Sequence, residues 1–199
     1  MDEEVTEEAP LLSRWALAAA VAFACAAGGA SLAVMPPGVA LVTGLLALLM
    51  ALITLIDFRH FIIPDVLSLP AVPLGIIANI VVFHPDDWMA GFSESVLGAV
   101  LAGGAFFLLR ALWFRLRGIE GLGLGDVKLA AVAGAWLGPE MLPAACLAAA
   151  LGGLAAAVVL LVLPGRQVRM SDHMPFGSFM APVILLFWAW RVLDAVPFW

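Results

Sequence analysis

The chain has no tyrosine, only two cysteines and three histidines, and charge on just 12% of its 199 residues. Cys25 and Cys146 both sit inside apolar runs, which excludes a disulfide framework and any CxxC zinc site built from sequence neighbours. His60, His84 and His173 are not spaced as a helical metal pair. Ordinary interfacial histidines are the simpler reading, and no metal is expected. The scarcity of charge matters most. A soluble domain is about 45–50% apolar and about 25% charged, whereas this chain is 64% hydrophobic with a mean hydropathy of +1.11. A soluble fold of this size could not hide so much apolar surface. An ordinary cytoplasmic enzyme and a disordered chain are both excluded. The fold class is all-α, a polytopic membrane helix bundle.

A spanning helix needs about 20 mostly apolar residues. Such runs are Trp15–Val34, Gly38–Ile56, Val66–Phe83, Val96–Phe114, Met141–Leu163 and Phe176–Leu193. The shorter Val127–Leu137 is taken as a further helix, giving about six to seven in all. Breakers fall between the runs, at Met35-Pro36-Pro37-Gly38, His84-Pro85-Asp86-Asp87, Gly138-Pro139-Glu140 and Pro164-Gly165. Pro70 and Pro73 lie within a run, where packed neighbours tolerate a kink. The tryptophans Trp15, Trp88, Trp113, Trp136, Trp190 and Trp199 fall near run ends and read as interfacial anchors.

Orientation follows from the nine basic residues. Arg14, Arg59, Arg110, Arg115, Arg117, Lys128, Arg166 and Arg169 cluster at alternate connections, and only Arg191 falls on the other side. The positive-inside rule then places the N-terminus in the cytoplasm. Residues 1–14 form a tail made acidic by Asp2, Glu3, Glu4, Glu7 and Glu8. A secretory signal wants a basic start, so the tail is expected to be retained ahead of a membrane-embedded domain covering 15–199.

Outside the tail, the acids sit near run ends. Asp57, Asp65, Glu120, Asp126 and Asp172 share the expected cytoplasmic face. Asp57 follows directly on an apolar run. Asp126 ends the glycine-dense stretch Gly121-Leu122-Gly123-Leu124-Gly125-Asp126, whose missing side chains permit close packing or an extended peptide. Two carboxylates sharing one proton can hydrolyse a peptide: the ionised one activates water and the protonated one donates to the scissile carbonyl. Plainer readings exist. Asp126 could be a helix N-cap, and Asp57 could pair with Arg59 or Lys128.

At these residues the chain resembles type IV prepilin peptidases. Leu55-Ile56-Asp57-Phe58-Arg59-His60-Phe61-Ile62-Ile63-Pro64-Asp65 is similar to their first aspartate motif, and Gly123-Leu124-Gly125-Asp126 with Val127-Lys128 to their second, GxGD. Met174-Pro175-Phe176-Gly177-Ser178-Phe179 is similar to the FGPF-type start of their last helix, with Ser178 where many members have proline. The likeness runs from about residue 41 to 190. It implies a membrane aspartyl endopeptidase of the inner membrane, acting at the cytoplasmic face on prepilin, pseudopilin or Flp-type precursors. These carry a basic leader followed by a hydrophobic helix. Asp57 and Asp126 would be the catalytic pair, with Asp65, Lys128, Gly123 and Gly125 in supporting roles. The chain shows none of the paired CxxC motifs of bifunctional members, so it resembles the short form without N-methylation. No cofactor is expected. Partners are prepilin-like substrates and membrane lipid, not nucleic acid. The rivals are a small transporter, which usually carries a carboxylate or broken helix near the midplane, and a non-catalytic pilus or secretion assembly component. A serine hydrolase lacks its nucleophile elbow, since Ser178 has no G-x-S-x-G around it.

Overall fold

In lipid every backbone amide must find its partner within the protein, and an apolar chain meets that demand as helices. The computed structural model describes residues 12–119, 121–162 and 175–195. Most of the acidic tail, Glu120, Arg166, Arg169, Asp172, His173 and Trp199 lie outside the described residues. Those described form six helices and no strand: α1 (Arg14–Leu32), α2 (Pro37–His60), α3 (Asp65–Phe83), α4 (Trp88–Arg117), α5 (Leu124–Val162) and α6 (Phe176–Ala195). All six are long and apolar enough to cross a membrane. Large apolar side chains such as Leu41, Val66, Leu108 and Leu116 stand exposed on the outside, as a hydrocarbon solvent allows.

Local chemistry sets the helix ends. Ser13 caps α1 by accepting from the Ala16 amide at 3.3 Å, and Asp87 caps α4 by accepting from Ala90 at 3.0 Å. That cap starts α4 at Trp88, eight residues before the apolar run expected at Val96, so the connection shrinks to 84–87. Helix α2 begins with Pro37 in its first turn, where no amide partner is lost. It ends beyond Asp57, at His60, and Phe61 closes it in the left-handed region with φ 54°. A bulky residue there is unusual. It turns the chain so that Ile63 tucks in and is buried.

The segments expected separately at Val127–Leu137 and Met141–Leu163 form one helical run, α5, broken at Gly138 (φ 70°, ψ 173°). A straight helix of 39 residues would extend about 58 Å, yet positions on α5 meet both ends of the bundle. Gly134 packs on Gly98, and Gly138 lies against Glu94 near the start of α4. Gly152 and Gly153 then lie against Phe179, beside the start of α6. The chain therefore doubles back at Gly138, and α5 comprises two antiparallel arms, 124–137 and 139–162.

The core lies where α2, α3, α5 and α6 meet, around Leu46, Met50, Ile53, Leu129, Trp136, Met180, Ile184 and Trp188. Trp136 is not an interfacial anchor. It is 1% exposed, donates to the Ala71 carbonyl at 2.8 Å and packs edge-on against Trp188 with centroids 5.1 Å apart. Burying an indole requires such a partner for its N–H. Trp188 finds its own in Thr43 Oγ1 at 3.0 Å.

At the end of the bundle away from Asp57, four elements are pinned by charge. Arg191 of α6 donates to Glu94 of α4 at 2.7 Å and to the Trp136 carbonyl of α5 at 3.3 Å, and its guanidinium stacks 4.0 Å over the Phe83 ring. His84, at the end of α3, lies 3.4 Å from the other Glu94 oxygen.

Candidate active site

Asp57 stands in the last turn of α2, with its side chain turned inward and only 4% of the residue exposed. A carboxylate at such a place needs donors, and α6 delivers them. The Ser178 amide donates to Asp57 Oδ2 at 2.7 Å, and the Ser178 hydroxyl lies 3.0 Å from the same oxygen. Gly177 makes the approach possible. A Cβ there would fall 2.9 Å from Asp57 Oδ2 and 2.8 Å from Ile63 Cδ1, so any larger residue would push α6 away. Lys128 pairs with Asp65 of α3 rather than with Asp57.

Asp126 opens the first arm of α5. It is the third residue of the helix rather than the N-cap: its Oδ2 accepts from the Gly123 amide at 3.2 Å, the return half of a capping box. Its charge is within electrostatic reach of Asp57. Between the two elements stands Ile63, against which both Gly125 and Gly177 pack, with a Cβ at Gly125 falling 3.0 Å from Ile63 Cβ. The two aspartates thus come from helices α2 and α5, at one end of the bundle, on elements joined through one buried isoleucine.

The glycine-dense loop ahead of Asp126 is held by α4. Arg110 Nε donates to the Leu122 carbonyl at 3.0 Å. Gly121 lies flush against the Trp113 indole, leaving no room for a side chain, and Arg117 stacks 5.6 Å over the same ring. Arg110, Trp113 and Arg117 follow the i, i+3, i+7 spacing of one helix face.

The structure brings Asp57, Asp126, Gly123 and Gly125 together, with Asp65 and Lys128 as an ion pair at the same end. It adds residues that sequence reasoning did not credit. Ser178, in the sequence only a departure from the FGPF-type motif, is Asp57's direct hydrogen-bond partner. Ile63, Gly177 and Arg110 also shape the site. Only the flanking glycine in Gly177-Ser178 hinted at a close approach. Among the described residues no cluster of His, Cys, Asp and Glu could hold a metal ion.

An apolar cavity of about 640 Å³ runs between α1, α2 and α6, lined among others by Ala20, Ala27, Thr43, Ala51 and Pro182, and reaching Thr54 and Leu55 one turn before Asp57.

Comparison with known proteins places this geometry in context. The profile of the type IV leader peptidase family matches residues 44–161, which contain both aspartates. The prepilin leader peptidase/N-methyltransferase of Burkholderia pseudomallei (strain K96243) is 40% identical over 177 residues, covering 86% of this chain and 53% of that protein. The protein of the same name from Escherichia coli (strain K12) is 34% identical over 178 residues, covering 87% of this chain and 73% of that protein. The Pseudomonas aeruginosa one is 39% identical over 140 residues, covering 69% and 43%. The chain spans about half the length of the Burkholderia relative. No solved structure matches it. With more than half its length inside the family profile and both aspartate motifs within the match, the chain belongs to the type IV leader peptidase family.

Proposed function

We propose that the protein is a membrane aspartyl endopeptidase that removes the leader from prepilin-like precursors at the cytoplasmic face of the inner membrane. The observation that carries this reading is the meeting of Asp57 and Asp126, from separate helices, at one end of the bundle. Family membership supports the substrate class, since the relatives are named prepilin leader peptidases. The clustering of Arg59, Arg110, Arg115, Arg117 and Lys128 toward that same end supports the cytoplasmic side.

The chemistry needs one proton shared by two carboxyls. The ionised carboxylate takes a proton from water as the water oxygen bonds to the scissile carbonyl carbon. The protonated carboxyl gives its proton to the carbonyl oxygen, producing a tetrahedral diol. On collapse the C–N bond breaks. The first aspartate passes its new proton to the leaving amine, and one diol hydroxyl returns a proton to the second, restoring the starting state. Like charges close together in a poorly solvated site resist double ionisation, which keeps that single proton in place.

The test is cleavage of a prepilin-like precursor by the purified protein beside Asp57→Asn and Asp126→Asn. Each variant loses cleavage by about 10³-fold or more, as expected when one of two groups acting as a unit is removed, while inserting and folding normally. Retained cleavage in either variant overturns the dyad.

A further inference from the structure

The proposed dyad leaves open which aspartate is base and which is acid, and the hydrogen bonds differ sharply between the two. Asp57 Oδ2 faces two donors from one residue, the Ser178 amide at 2.7 Å and the Ser178 hydroxyl at 3.0 Å. Among the described residues Asp126 Oδ2 faces one, the Gly123 amide, at a longer 3.2 Å. We propose that Ser178 is a positioning residue that holds negative charge on Asp57, making Asp57 the group that takes the proton from water and Asp126 the group that protonates the scissile carbonyl. This inference rests on the reading of the pair as the catalytic dyad.

The hydroxyl has a single hydrogen and two candidate acceptors, Asp57 Oδ2 at 3.0 Å and the Thr54 carbonyl at 3.3 Å. An ionised oxygen is the stronger acceptor, so the hydrogen goes to Asp57 when that residue is charged. When Asp57 takes a proton from water, the hydroxyl can swing to Thr54 without breaking the fold. Both donors fall on Oδ2, which leaves Oδ1 as the oxygen for water. The amide sits in the first turn of α6, at the end that favours negative charge, and shares its hydrogen between the Pro175 carbonyl at 3.1 Å and the shorter, charge-assisted bond to Asp57 Oδ2 at 2.7 Å. Gly177 completes the arrangement by allowing the approach.

Among the described residues the charged and titratable groups around Asp57 are few. Its own helix continues with Arg59 and His60. From α5 come Asp126 and, farther on, Lys128, which is tied to Asp65 of α3. The described part of α6 has no charged residue before Arg191, which belongs to the network at the opposite end. Ser178 is thus the neutral donor that distinguishes Asp57 from Asp126.

The experiment is the pH dependence of kcat and KM for cleavage by the purified full chain, on a synthetic precursor carrying a basic leader and its hydrophobic helix. Ser178→Ala keeps the amide and removes the hydroxyl. Ser178→Pro removes both donors, and with them the amide's turn bond to the Pro175 carbonyl, at the position where the FGPF-type motif carries proline. Ser178→Thr keeps both. The expected result is graded: the acid limb of kcat moves upward by about half a pH unit in the alanine variant and about one in the proline variant, with KM little changed, and threonine restores the original limb. An acid limb that stays in place in both the alanine and proline variants overturns the proposal. So does an equal loss of rate at every pH, which marks a merely structural serine. Asp57→Asn and Asp126→Asn, run alongside, report on the dyad separately: their inactivity with an unmoved Ser178 limb removes this inference and leaves the dyad standing.

Discussion

At the residue scale, the site depends on how few polar groups the chain contains. At Asp57, Trp136 and Trp188 the buried polar group has a hydrogen-bond partner whose loss has a definite consequence. The Asp65–Lys128 pair is the counterexample. Asp65 is 59% exposed at its side chain and Lys128 31%, so water screens the pair, and exposed pairs contribute about 0–1 kcal/mol. Lys128→Met should therefore move the thermal midpoint of the detergent-purified protein by no more than about 4 °C; a drop several times larger would show the pair to be structural. Asp57 and Asp126 were legible in the sequence because carboxylates stand out in an apolar chain. Ser178 was not. A hydroxyl carries no charge signal, and its partner lies 121 positions away, a contact created only when α6 packs on α2.

At the scale of elements, the close approach of α4 to the first arm of α5 is decided by two residues without side chains. A Cβ on Gly98 would land on the Gly134 carbonyl, and one on Gly134 would land on the carbonyl of Gly98. Small residues at such crossings let backbones meet where no hydrophobic effect drives helices together. Gly98→Ala forces the pair apart, and the expected cost is about 1–3 kcal/mol, the range for overpacking a filled interface. A thermal melt in detergent checks it, and an unchanged midpoint would mean the interface yields freely. Because α5 carries Asp126, cleavage should fall with it. Helix existence was largely legible, since length and apolarity alone mark a span. The break at Gly138 was also visible in Gly138-Pro139-Glu140. Which face of a helix looks inward was harder to see: with both faces apolar, lipid and core give the same pattern, and so Trp136 passed for an anchor although α3 and α6 enclose it. The start of α4 was missed because Glu94 looks too costly for a span until Arg191, 97 residues later, is seen to pair with it.

At the scale of the whole molecule, one end carries the aspartates and the other carries the Arg191–Glu94–His84 network that ties α3, α4, α5 and α6. The Arg191 and Glu94 side chains are 14% and 26% exposed. Arg191→Met strands the Glu94 carboxylate beside His84 and leaves the Trp136 carbonyl without its guanidinium donor. The expected loss is about 2 kcal/mol, less than the about 3–5 kcal/mol for a fully buried pair, and Arg191→Met with Glu94→Gln should recover part of it. Equal instability of the single and double variants would show that packing over Phe83, not charge, holds that end together. The fold-back at Gly138 has a further consequence, one of parity. Six helical runs traversing the bundle once each would return the chain to the side where it began. Because α5 traverses it twice, the number of passes is odd, and Arg14 and Ala195 finish at opposite ends. A protein fused ahead of α1 and another fused after α6 would occupy different compartments, and a single glycine with positive φ sets that separation.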